Sequence, residues 1–168
     1  IMKKIIFIIS IAFFSLQIQA YTLQKSNLDL SYPWGMTWVD KTKLLITEKK
    51  SARIILFDTL NNTSKIISHN IPVAPLGQGG LLDIISEGDS VWITCSIMKN
   101  KLLTTAVYKS TLHNNSLISS ELIFEATPYI NNAKHFGSRM TIKDDYLYIS
   151  IGEREKGMIS QDPSNSIG

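Results

Sequence analysis

Cysteine is almost missing from this sequence: Cys95 stands alone, so no internal disulfide can form and a disulfide-stapled scaffold is excluded. It sits in the apolar, strand-like VWITCSI (residues 91–97) with no charged neighbour to lower its pKa, which reads as a buried, inert thiol rather than a nucleophile. A large excess of charge of one sign is lacking too. Seventeen basic residues face 14 acidic ones, and the densest basic group is Lys49 and Lys50 with Arg53. That is no electrostatic footprint for a nucleic acid. Long hydrophobic runs are also lacking: residues 5–16 form a twelve-residue apolar run, against the roughly 20 needed to cross a bilayer as a helix. Beyond residue 20 no segment of useful length shows helical periodicity.

What the N-terminus does contain is a secretory pattern. Lys3 and Lys4 precede the apolar run, and residues 17–20 end on Ala20, a small residue at a cleavage point. We expect residues 1–20 to be a signal peptide of a periplasmic or secreted protein; an uncleaved anchor is the alternative. Ile1 ahead of Met2 reads as a frame artefact. Residues 21–168 then carry 15 basic and 14 acidic residues, nearly neutral.

That remaining chain reads as β throughout. Short runs rich in β-branched and aromatic residues recur (GMTWV, KLLITE, RIILFD, LLDIIS, VWITCSI, LTTAVYKS, ELIFEA, MTI and YLYISIG), separated by DKTK, TLNNT, EGDS, HNN and KDD. The spacers are turn formers. One unit repeats: MTWVDKTKLLIT, LDIISEGDSVWIT and MTIKDDYLYIS are each a strand, a tight polar turn, and a strand ending in Ile followed by Thr or Ser. Their reference points Ile46, Ile93 and Ile149 lie 47 and 56 residues apart. Periods near 40 to 50 with about four strands per unit describe propeller blades. A β-sandwich, whose turns also recur at short intervals, is the alternative. Two blades and the opening of a third cannot close a ring of about 4 to 8, so the chain is expected to be the front of a longer protein.

Propellers place functional groups on loops around the central channel, and two loops stand out. In PLGQGGLLD (residues 75–83), Gly77, Gly79 and Gly80 permit close backbone approach, and the Gln78 amide can donate and accept at once. In KHFGSRM, His135 has a side chain suited to general-base work near neutral pH. Gly137 leaves room for a flat ligand, and Arg139 can hold an anion or tie the structure. Glu153, in SIGEREKG, is a carboxylate that hairpin folding could bring back to orient His135. Loop histidines are more often plain surface residues, and His69 and His113, each in an Asn-containing turn, are assigned to that class.

PWGMTWV with LLITEK, then GQGGLLD, HFGSRM, and ISIGE with SQDPSNSIG, in that order, resemble the glucose/sorbosone dehydrogenase family. The resemblance covers residues 32–168 and is nearest to its soluble periplasmic aldose sugar dehydrogenases. It implies a six-bladed propeller with pyrroloquinoline quinone lying flat over the channel. On this resemblance His135 matches the base that takes the sugar's anomeric hydroxyl proton, Glu153 the acid that orients it, and Gln78 a residue touching the quinone. Glutamate at position 153 is like the aldose branch, whereas the glucose-specific branch has aspartate. Lys134 stands where that branch has an acid, which speaks against narrow glucose specificity. Further cationic quinone ligands and a calcium site would lie beyond residue 168, so the chain alone is expected to be inactive. The alternative of another class is a non-catalytic propeller that binds a carbohydrate or a protein partner.

Overall fold

The computed structural model describes residues 22–167; the signal peptide read over residues 1–20 lies outside them. Its strands are β1 (Pro33–Trp38), β2 (Lys43–Glu48), β3 (Arg53–Asp58), β4 (Thr63–Ile67), β5 (Leu81–Glu87), β6 (Ser90–Lys99), β7 (Leu102–His113), β8 (Ser116–Glu125), β9 (Gly137–Lys143) and β10 (Tyr146–Ile151), followed by one 3-10 turn at Gly157–Gln161. They form two antiparallel four-stranded sheets, β1-β2-β3-β4 and β5-β6-β7-β8, and a hairpin, β9-β10. This is the all-β architecture expected: two complete blades of a β-propeller and the inner hairpin of a third. Among the described residues no helix is long and apolar enough to cross a membrane.

The register shows why the repeat exists. Met36 pairs with Ile46, Ile84 with Ile93, and Met140 with Ile149, so the three hairpins are superposable units. The hydroxyl residue after each of these isoleucines has a fixed task. Thr47 Oγ1 accepts the Gly35 N–H and donates to Leu82 O, 2.5 Å away on the next blade. Thr94 Oγ1 repeats this, accepting from Asp83 N–H and donating to Ser138 O at 3.0 Å. Both threonines are fully buried, where an unmatched polar group would be costly, so each bond fixes how one blade abuts the next.

Apolar packing does the rest. Leu45, Ile54 and Leu56 of the first sheet meet Leu81, Ile84, Val91 and Ile93 of the second in one buried cluster that includes Cys95. Fully burying such a side chain contributes about 1.5–3 kcal/mol. Ile46, Ile55 and Phe57 point to the opposite face and are covered by Leu28 and Leu30. Burial on both faces explains why β2 and β3 read as continuous apolar runs rather than alternating ones. Burial also pushes the Cys95 thiol up to about 12, so the lone cysteine is inert.

Candidate functional site

Three loops converge at the inner end of the blades: residues 76–80 before β5, residues 131–136 before β9, and residues 152–155 after β10. The first two are stitched together at Gln78. Its backbone N–H donates to Ala133 O at 2.7 Å, and its side-chain Oε1 accepts the His135 backbone N–H at 2.9 Å. His135 itself has φ 48, a left-handed conformation uncommon outside glycine. The third loop closes on it because residue 152 is glycine, since a Cβ there would overlap the His135 carbonyl oxygen.

That close approach sets the site's chemistry. His135 Nδ1 lies 2.6 Å from Glu153 Oε1, and an ionised carboxylate only accepts, so Nδ1 carries the hydrogen. In the neutral ring the other nitrogen, Nε2, is then an acceptor. Glu153 Oε1 is held in turn by the Glu155 backbone N–H at 3.1 Å. The hydrogen bond from His135 keeps the Glu153 carboxyl below the usual carboxylate range. The pair is partly exposed, with 44% of the His135 and 27% of the Glu153 side-chain surface open, so an incoming ligand can reach it.

His135 and Gln78 line a cavity of about 420 Å³ together with Trp34, Lys49, Leu82, Phe136 and Gly137. Among the described residues Gln78 Nε2 has no acceptor, so its two N–H donors are available there. Behind the wall, the buried Arg154 guanidinium stacks on the Phe136 ring at 3.6 Å and reaches Lys134 O at 3.4 Å. Burial brings Arg154 down to about 10, still charged at neutral pH. Lys134 pairs with Glu155 at 2.9 Å.

The structure therefore brings His135, Glu153 and Gln78 together. Arg139, read from the sequence as a cofactor contact, is placed elsewhere: its Nη1 donates to Asp83 Oδ1 at 2.8 Å, and Asp83 Oδ2 accepts the Met140 N–H. This links β5 to β9 outside the cavity lining, the structural tie that was the other reading. His69 is also a tie, accepting the Ile71 N–H and donating to Ala52 O. Sequence reasoning gave no role to Trp34, Lys49 and Phe136, although each lies within one of the motifs PWGMTWV, LLITEK and HFGSRM. Among the described residues no group of three His, Cys, Asp or Glu could hold a metal.

A family model described as Glucose / Sorbosone dehydrogenase matches residues 30–168. The chain belongs to this family. Proteins similar to the chain include the uncharacterized protein slr1608 of Synechocystis sp., 30% identical over 138 residues, and the aldose sugar dehydrogenase YliI of Escherichia coli, 23% identical over 142. These alignments cover 74% and 79% of this chain but 33% and 38% of the relatives, so the chain spans about a third of their length. The crystal structure of the soluble aldose sugar dehydrogenase of E. coli, in its apo-form, superposes with a TM-score of 0.75 at 25% identity, covering 83% of this chain and 43% of that one. The PQQ-bound form of the aldose sugar dehydrogenase of Streptomyces coelicolor superposes at 0.74 and 22% identity, covering 84% and 44%; at that identity it speaks for the fold.

Proposed function

We propose that the full-length protein is an exported oxidoreductase that oxidises the anomeric carbon of aldose sugars to lactones, with pyrroloquinoline quinone as its cofactor and His135 as its base. The observation that carries this reading is the 2.6 Å contact between His135 Nδ1 and Glu153, which leaves Nε2 as the lone-pair nitrogen of a residue lining the cavity. Family membership and the names of the aldose sugar dehydrogenase relatives support it.

The residues present fit a flat, acidic, acceptor-rich cofactor. Gln78 offers free amide donors, Lys49 a cation and Trp34 an aromatic ring to the cavity. When bound, the quinone would supply a two-electron acceptor for the hydride on the sugar's anomeric carbon. His135 Nε2 takes the proton of the anomeric hydroxyl, and Glu153 stabilises the imidazolium that results. Gln78 holds the His135 backbone in its left-handed conformation, so the base is oriented before the sugar arrives. General-base catalysis of this kind contributes about 10²–10⁴-fold. A propeller that merely binds sugar has no use for an oriented base. For calcium, the described residues contain no group of three His, Cys, Asp or Glu that could hold it.

The test is product analysis on the full-length protein. With quinone, calcium and a panel of aldoses, we expect lactone, detected by NMR, that forms only when quinone is added. Bound quinone with no lactone from any aldose would leave the non-catalytic binding propeller as the better reading.

A further inference from the structure

The cavity wall contains one cation, Lys49, whose contact with the acidic ligand the proposed chemistry does not specify. Lys49 follows β2 directly, and its backbone is fixed on both sides: its N–H donates to Tyr32 O and its carbonyl accepts the Leu81 N–H, each at 3.0 Å. Gly80, at φ +144, packs so tightly that a Cβ on it would overlap Lys49 O and crowd Cγ. This is the physical need for glycine at the end of the GQGG run. The lysine stem is thereby held against the inner wall, and Nζ lies 3.8 Å from the centroid of the Trp34 ring.

Arg154, which forms no ion pair among the described residues, is buried behind Phe136, and the other neighbouring cations are engaged. Lys50 Nζ donates to the carbonyls of Gly77 and Gly79, Arg53 pairs with Glu48, Lys134 with Glu155, and Arg139 with Asp83. Among the described residues Lys49 forms no ion pair. Burial, with a smaller contribution from the charge of Lys50, draws its ammonium below the ordinary lysine range. The Trp34 face is a weak substitute for a counterion. A half-desolvated cation on the wall of a cavity whose lining contains no carboxylate favours an anionic ligand over a neutral one.

We propose that Lys49 binds a carboxylate of the flat acidic ligand in this cavity, which under the proposed function is the quinone; the inference rests on that reading. Lys49 is then a cofactor-binding residue contributed by the first blade, in addition to any supplied by later parts of the protein. Because Trp34 and the Gly80 contact restrain its stem, little side-chain entropy is lost when the charge is engaged.

Binding is measured by titrating quinone-free full-length protein, following the quenching of its intrinsic fluorescence, with the quinone and separately with its trimethyl ester. For Lys49→Met we expect the quinone Kd to rise about tenfold or more, as for loss of a charge-assisted contact, with the ester Kd unchanged and weaker dependence on salt. Lys49→Arg should recover most of the affinity. Lys49→Gln, measured in parallel with circular dichroism, keeps the test alive if the methionine variant does not fold. An unchanged quinone Kd in the folded variants overturns the inference while the proposed function stands. Equal weakening of acid and ester overturns it too, since that marks a packing effect. A wild type that binds neither form removes the proposed function, and this inference with it.

Discussion

Glu48 has no exposed side-chain surface, and it is charged because of what surrounds it. Burial alone would raise its pKa, but Arg53 Nε at 2.5 Å, Ser51 Oγ at 2.6 Å and the Ser31 N–H at 2.7 Å together bring it down to about 2. A depressed carboxylate contributes stability above its unfolded pKa, here 4.5, and that contribution is lost as pH falls through the folded value. We therefore expect acid-induced loss of stability between about pH 4.5 and 2, with Glu48→Gln reducing that pH dependence and costing about 2 kcal/mol at neutral pH. The figure is set below that of a fully buried pair because Arg53 is 41% exposed. Denaturant titrations at several pH values check it; a variant with wild-type stability at pH 7 would contradict it. Single residues were unevenly legible in the sequence. His135, Glu153 and Gln78 were marked by their chemistry and by motif. Lys49 was seen only in a basic group and at the end of LLITEK, because nothing in a linear sequence shows that it stands on a cavity wall without an ion pair.

Among the elements, the β9-β10 hairpin decides the site's geometry. Met140 and Ile149 set its register, and the shift in register after Ile149 lets Ile151 pair with Gly137, carrying Gly152 under the His135 carbonyl. We expect Gly152→Ala to force these loops apart and lower kcat about tenfold or more, since displacements near 1 Å can cost about 10²-fold. Far-UV circular dichroism should stay native. An unchanged kcat would show that the loops tolerate the added methyl and that their close packing does not set the base. Strands were the most legible part of the chain, β2 and β3 to the residue, because tight polar turns bound them on both sides. The far ends of β7 and β8 were less so: β7 runs to His113 because cross-strand pairing carries it past the apolar run. The 3-10 turn at Gly157–Gln161 gave no periodic signal in five residues.

For the whole molecule, the arc of blades has two open ends. Met36 and Trp38 on β1 and Tyr146 and Tyr148 on β10 are exposed, and among the described residues the Ser150 hydroxyl, which matches Thr47 and Thr94, bonds only within its own hairpin. Arg154 Nε and Nη2 are buried with no partner among the described residues. Each of these is what a further blade would cover or satisfy. Residues 21–168 produced alone are therefore expected to turn over no sugar and to bind the quinone about tenfold or more weakly than the full-length protein, by titration; full-length affinity would contradict this. The repeat was legible at this scale because the same hairpin recurs three times, whereas the contacts between blades were not, as the threonine hydroxyls act across 35 and 44 residues of sequence.

The role proposed for His135, oriented by Glu153, is that of the base of a sugar dehydrogenase. Its most direct test compares full-length wild type with His135→Ala, measuring quinone affinity by titration and aldose-dependent reduction of an artificial electron-accepting dye. If His135 is the base, the variant's kcat is lower by about 10²–10⁴-fold with quinone affinity changed little. A His135→Ala protein that binds quinone and oxidises aldoses at the wild-type rate would contradict it.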